Sequence, residues 1–332
     1  MRGAFPILLA FLSLGTLSSA PMADAAVDIN SVNAEYVADV ETDYHTVSTF
    51  VNGQMARSFG FYSSLGWQVN PTVLDVIKGP RVGVGIGAGV DLLKVSDVNS
   101  LQLNVLESGG NIEIPKILPL PFPVWHVKGG LLKGVDFGIR GGSIPRLKIN
   151  EGRINFANKS LGMELRCRAI AGKTLPTVTV SATWDRMEGD IYVANDVSQQ
   201  AEYWDDGTLT WYTGTITGHT VYHTDWNVRS FGMKVVVGKG FGMAYPFAGV
   251  GFQRNAGTVR SSLSVRVHES LTDGVTTAEQ DMALEYASGL RPKVVEPKIL
   301  LGIDLGSVFY WNFLGETNAK DYAVSTGFRL QF

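Results

Sequence analysis

The chain ends Tyr322-Ala-Val-Ser-Thr-Gly-Phe-Arg-Leu-Gln-Phe332. Tyr322, Val324, Thr326, Phe328, Leu330 and Phe332 take every second place and tolerate lipid. Ala323, Ser325, Gly327, Arg329 and Gln331 between them are small or polar. Strict alternation is the period of a β-strand with one greasy face and one wet face. A tilted strand of about ten residues crosses a bilayer, and an aromatic belongs at its interfacial end. Soluble termini usually fray into water instead. The stretch therefore predicts an all-β protein, a transmembrane antiparallel up-and-down β-barrel closed by its last strand.

The same alternation recurs upstream. Arg81 to Leu92 puts Val82, Val84, Ile86, Ala88, Val90 and Leu92 on one face and Gly83, Gly85, Gly87, Gly89 and Asp91 on the other. Glycine at every second place is not a dinucleotide loop, which needs other spacing and a following helix. Small inward residues leave room for something in the lumen. Val135 to Arg140, Met163 to Ala169, Val178 to Trp184, Phe231 to Val237, Val259 to Val267 and Ile299 to Leu305 follow the pattern, and Thr276 to Tyr286 follows it more weakly. The run Pro115 to Pro123 marks a loop or a strand edge. Residues 201–226, rich in Trp and Tyr around Asp205-Asp206-Gly207, predict a long extracellular hairpin. Both barrel termini belong on the periplasmic side, so the strand number is even, about twelve.

Met1-Arg2-Gly3 and the uncharged run Ala4 to Leu17 form the n- and h-regions of a signal peptide, with Ala23-Asp24-Ala25 as the cleavage site. The expected division is a signal at 1–25, an N-terminal helical segment at 26–56 and the barrel at 57–332. In the second piece Val32, Tyr36, Val40, Tyr44, Val47 and Val51 recur at helical steps. It reads as a plug in the lumen, as a helix on the periplasmic side, or as a first strand at Thr46 to Val51. From Arg57 the pattern turns β, with Phe59 to Val69 an aromatic-rich segment.

Composition excludes several classes. The net charge of -3 leaves no electrostatic footprint for nucleic acid. The single Cys167 forms no intrachain disulfide and reads as a small outward-facing residue. No uninterrupted apolar run is long enough for a transmembrane helix. Asp136, Arg140, Glu164, Arg166, Arg168 and Arg329 sit in strands whose other faces are apolar. Charge on a lipid face is costly, so these six are expected to line the lumen, as a salt-bridged seat for the plug or as a selectivity lining. His219 and His223 share a strand face but lack a third ligand for a metal. His45 and Ser48 would lie on opposite faces. No catalytic set, cofactor or metal site is expected.

Gly60-x-x-x-x-x-Gly66-Trp67, Val127-Lys128-Gly129, Gly162-Met-Glu-Leu-Arg166, Gly238-Lys-Gly-Phe-Gly242 with Tyr245-Pro-Phe-Ala-Gly-Val-Gly251, and Gly327-Phe-Arg-Leu-Gln-Phe332 stand in that order. The order resembles a group of uncharacterised outer-membrane β-barrel proteins of Gram-negative bacteria. More distantly, the plugged plan resembles the fatty acid and hydrocarbon transporter barrels. The resemblance implies residence in the bacterial outer membrane, contact with its lipid, and Tyr322, Phe328, Leu330 and Phe332 as the signal read by the outer-membrane assembly machinery. The expected function is passive passage or uptake of a small molecule, hydrophobic ones included, whose identity is open. The alternatives are a sealed structural or adhesive barrel that binds partners through 201–226, and a lipid-acting outer-membrane enzyme.

Overall fold

The computed structural model describes residues 81–94, 117–149, 153–170, 175–205, 210–272, 277–318 and 320–332, residues 73–74, and, nearer the N-terminus, 42, 45, 46, 49, 50, 53–56 and 58–66. The expected signal peptide and most of the expected N-terminal segment lie outside the described residues.

Eleven strands appear among them: β1 (Val82–Lys94), β2 (Ile117–Leu132), β3 (Val135–Ile149), β4 (Ile154–Ile170), β5 (Thr177–Asp205), β6 (Thr210–Gly238), β7 (Ala244–Thr272), β8 (Thr277–Leu290), β9 (Val295–Gly306), β10 (Phe309–Thr317) and β11 (Tyr322–Gln331). Every neighbour is antiparallel, and β11 pairs with β1 from Gln331↔Gly83 to Tyr322↔Leu92. The backbone of Phe332 finishes the seam, donating to the Val82 carbonyl and accepting from Arg81 and Val82.

Among the described residues the ring closes with an even number of courses, ten, or eleven strands when one divided course is counted as two. β7 pairs with β9 over Ala244–Arg254 and with β8 over Val259–Thr272, so β8 and β9 form one descending course broken at 291–294. Pro292 lies in the break, where a missing N–H costs no ladder bond. On the facing side Gly257 has φ 134°, and the Asn255 N–H bonds the Val294 carbonyl at 2.8 Å.

Burial follows the alternation. In β11 the even positions Tyr322, Val324, Phe328 and Leu330 are exposed and the odd ones are covered or half-covered. Trp125, Phe137, Leu165, Trp184, Phe231, Val250, Leu301 and Trp311 continue the apolar belt around the ring. At one end strands are joined by short turns, such as Leu132 to Val135 and Gly306 to Phe309. At the other, β5, β6 and β7 run 29 residues each, and their ladder continues from Val193 to Asp205↔Thr210 after β4 has stopped. The excess of roughly a dozen residues is a flap ~40 Å long.

The proline run belongs to β2, on its edge. Above Trp125 β2 pairs with β1 alone. The Pro123 carbonyl points at Gly142 of β3. Pro119, Pro121 and Pro123 stand at alternate places, so their nitrogens turn to the same open side and the β1 ladder loses nothing.

Phe59 to Gly66 is not a strand. Residues 53–56 and 58–62 are helical and 63–66 form a turn; the first described barrel strand begins at Val82 rather than at Arg57. Phe59, Phe61, Ser63 and Leu65 alternate in sequence, yet all are buried, because the segment lies in the lumen with wall on every side. Gly53 faces Leu290 at the flap end, while Leu74 meets Gly83 and Asp136 near the short-turn end. Described parts of the N-terminal stretch thus lie inside the ring from its flap end to near its short-turn end, on residues 53–56, 58–66 and 73–74, mostly beyond the 26–56 expected to form a plug.

Candidate functional site

The lumen is where the polar residues converge. Lys128 meets Glu164 at 2.8 Å although β3 lies between them; Gly138, opposite both in register, leaves the gap. Arg140 donates through Nε and Nη2 to Asp185 Oδ1 at 2.9 and 2.8 Å, passing over Gly162 of β4. Arg166 grips both oxygens of Asp136, whose Oδ2 also accepts from the Leu74 N–H. Arg329 donates to Asp304, which also accepts from Asn312. Lys298 stands 3.6 Å from Glu316. All are nearly solvent-free. Such pairs add little net stability over apolar packing, but removing one partner strands a buried charge.

The plug is held by both halves of this interior. Phe59 stacks on Trp226 of β6 at 4.4 Å, and Tyr62 meets the Phe122 edge at 5.7 Å. Met55, Ala56, Leu65, Val124, Met187, Val228 and Val259 complete one apolar cluster at the flap end. Below it the plug's polar groups are clasped from several strands. Arg140 Nη2 and Gln253 Nε2 donate to the carbonyls of Ser63 and Gly60. Lys298 Nζ donates to Ser64 Oγ and lies 4.5 Å over the Phe61 ring. Ser63 Oγ bonds Ser230 at 3.0 Å, and Ser58 Oγ donates to Asp321 at 3.0 Å. The turn ends at Gly66, whose φ of 80° and closeness to Val124 and Phe122 admit no side chain. The β1 glycines serve a similar end: rings of Phe122 and His126 occupy the space over Gly89 and Gly85. Between Tyr62, Leu65, Phe122, Arg140 and Met187 the cavity is about 10 Å³, room for about one water.

Of the six charges named from the sequence, Asp136, Arg140, Glu164, Arg166 and Arg329 are buried in the wall. Arg168 is not among them. It is half-exposed at the short-turn end beside Gly134, where the β4 register shifts. Lys128, Asp185, Lys234, Lys298 and Asp304 belong to the set and escaped that reading; each alternates with outward-facing neighbours, as Lys234 does between Met233 and Val235. Tyr322, Phe328, Leu330 and Phe332 lie on the outer face, with Phe328 stacked between Phe309 and Trp311. Trp226, assigned to an aromatic loop, is a lumen residue; 201–205 and 210–221 belong to the flap ends of β5 and β6. His219 Nδ1 pairs with Asp196 Oδ1 at 2.6 Å in the flap, and this bond holds the Asp196 carboxyl below its ordinary range. Among the described residues no three His, Cys, Asp or Glu side chains stand close enough to share a metal.

No protein-family profile and no curated protein matches the chain. Among solved structures it is similar to the translocator domain of the autotransporter NalP from Neisseria meningitidis, at 12% identity over 87% of this chain and 98% of that one, TM-score 0.35. It is similar to the CymD monoaromatic hydrocarbon channel at 9% identity over 81% and 93%, TM-score 0.27. It is similar to LpxR from Salmonella typhimurium at 10% identity over 75% and 100%, TM-score 0.25. Likeness this low fixes no residue role and no function.

Proposed function

We propose that the chain is an outer-membrane β-barrel whose lumen is stoppered by its own N-terminal segment, and that it anchors an exposed β-flap for contact with partners. The apolar belt supports the membrane placement, since a closed ring leaves no unpaired edge in lipid. Outer-membrane barrels keep short turns toward the periplasm and long excursions outward, which supports a flap on the cell exterior. The observation that carries the stoppered reading is the filled interior around Phe59 to Leu65. Planar-bilayer recording of the refolded chain, with and without residues 26–66, tests it. The full chain gives no steady conductance and the deletion gives open steps; steady conductance by the full chain refutes the reading.

A second reading, gated uptake of a small hydrophobic molecule, is favoured by the apolar cluster at the flap end of the lumen. It differs in one result: adding such a molecule would release the plug and raise the conductance of the full chain. The assembly machinery and lipid of the outer membrane are the partners this placement implies.

A further inference from the structure

We propose that the outer face of β4 to β7, just beyond the apolar belt, is a binding site for a phosphorylated lipid headgroup. The inference rests on the outer-membrane placement above. Arg186 of β5 stands directly opposite Arg229 of β6 in the ladder. Lys159 is the diagonal neighbour of Arg186, because Leu161 is its register partner. Arg254 is the diagonal neighbour of Arg229, because Ala256 is the partner there. Four cations therefore run across four adjacent strands. Side chains directly opposite lie about 5 Å apart and diagonal ones about 7–8 Å, and like charges so placed repel.

Their counter-charge is incomplete. Glu188 bonds Arg186 at 2.9 Å and Lys159 at 3.1 Å. Arg186 Nε is shielded from solvent without an acceptor, and among the described residues no ion pair forms to Arg229 or Arg254. The next like-charged pair behaves differently. Asp190 opposes Asp225, but Arg146 grips Asp190 at 2.9 and 3.1 Å and Arg260 stands opposite Asp225. The wall neutralises its acidic pair, whereas its basic pair shares the single carboxylate Glu188, held by Arg186 and Lys159.

The neighbourhood below selects the kind of anion. Two residues nearer the membrane centre, about 7 Å along the strands, Trp184 and Phe231 lie side by side on the same face, with Arg254 opposite Phe231; Met163, the partner of Trp184, and Phe252, diagonal to Phe231, complete a strip of four apolar side chains. These four are 38–49% exposed. Cations capping an apolar strip fit an amphiphile with its chains on the strip and its phosphate between the guanidiniums, where bonds are charge-assisted and two-pronged. A free anion would have no use for the strip.

The test uses full-length protein folded into phosphatidylcholine vesicles, with folding checked by heat-modifiable gel mobility. A bis-phosphorylated lipid A, its dephosphorylated form and inorganic phosphate are each added, and the thermal midpoint and binding are measured. The phosphorylated lipid raises the midpoint; the other two do not. Arg186→Gln/Arg229→Gln weakens binding about tenfold or more, whereas Arg291→Gln/Lys293→Gln, at the β8–β9 break, does not. The single Arg229→Gln guards against misfolding: without phosphorylated lipid it is as stable as the parent or more so, since it removes a repulsion, yet its lipid-induced shift is smaller. An equal shift from dephosphorylated lipid, a shift from inorganic phosphate alone, or unchanged binding by the double variant overturns the site. If the parent folds in the vesicles and any of these occurs, the headgroup site fails while the barrel placement stands. Failure to fold in vesicles refutes the placement itself.

Discussion

Removing the Phe59 ring is the sharpest test of the stopper. Phe59 is 2% exposed and stacks on Trp226, which is equally buried. Truncating a buried Phe to Ala costs about 3–5 kcal/mol including the cavity left behind. Loss of the aromatic pair is part of that sum, at about 0.5–1.5 kcal/mol. The ladder of the ring makes no use of Phe59, so the penalty falls on plug docking and not on barrel closure. A cost of 3–5 kcal/mol reduces the docked-to-released ratio roughly a hundredfold to several thousandfold. In planar bilayers Phe59→Ala then shows brief openings absent from the parent, while heat-modifiable mobility of the folded barrel is retained. A Phe59→Ala variant that folds as the parent does and stays silent in the bilayer would refute the reasoning. So would loss of the whole barrel, since that would make the plug part of the fold instead of a tenant in it.

Other outcomes follow from the same geometry. Arg166→Met strands Asp136 without its cation and lowers unfolding stability by about 3–5 kcal/mol, whereas Arg166→Met/Asp136→Leu recovers most of it; urea titration in micelles separates the two. Leu301→Arg puts a charge on the lipid face and costs about 2–4 kcal/mol near the midplane, read as a lower folded fraction in vesicles. Gly66→Ala forces an L-residue to φ 80° against Val124 and costs about 1–3 kcal/mol, read as plug release in the conductance assay. In a Cys167→Ala background, Thr49→Cys reacts with a membrane-impermeant maleimide in intact cells, because the helix emerges at the flap end; reaction only after the outer membrane is opened would reverse the orientation.

The barrel was legible because lipid enforces parity. From Tyr322 to Phe332 no residue breaks the alternation, and Arg329 could only point inward. The same rule extends to Lys234, Lys298 and Asp304, so most of the lumen set is readable one strand at a time. The pairing is not. Lys128 reaches Glu164 because Gly138 lies between them in register, and register depends on turns and the seam rather than on local pattern. Phe59 to Leu65 misled for a physical reason: a segment surrounded on all sides has no wet face, so neither a 2.0 nor a 3.6 period can stand out. At 291–294 one course reads as two elements, because the break interrupts the ladder with β7.

The route of the chain through its ring also constrains biogenesis. Residues 53–56, 58–66 and 73–74 precede every described barrel strand in synthesis, yet β11, the last of these strands to be made, is the one that shuts the circle around them. Entering later would mean drawing the helix and its aromatic rings through an opening already lined by paired charges. The topology therefore favours an assembly order in which hairpins gather around the inner segment and the β1–β11 seam closes last. Splitting the gene between Leu74 and Arg81 turns this into a kinetic question. A barrel made alone and given the N-terminal piece afterwards should remain open far longer than one in which both pieces are present from the start.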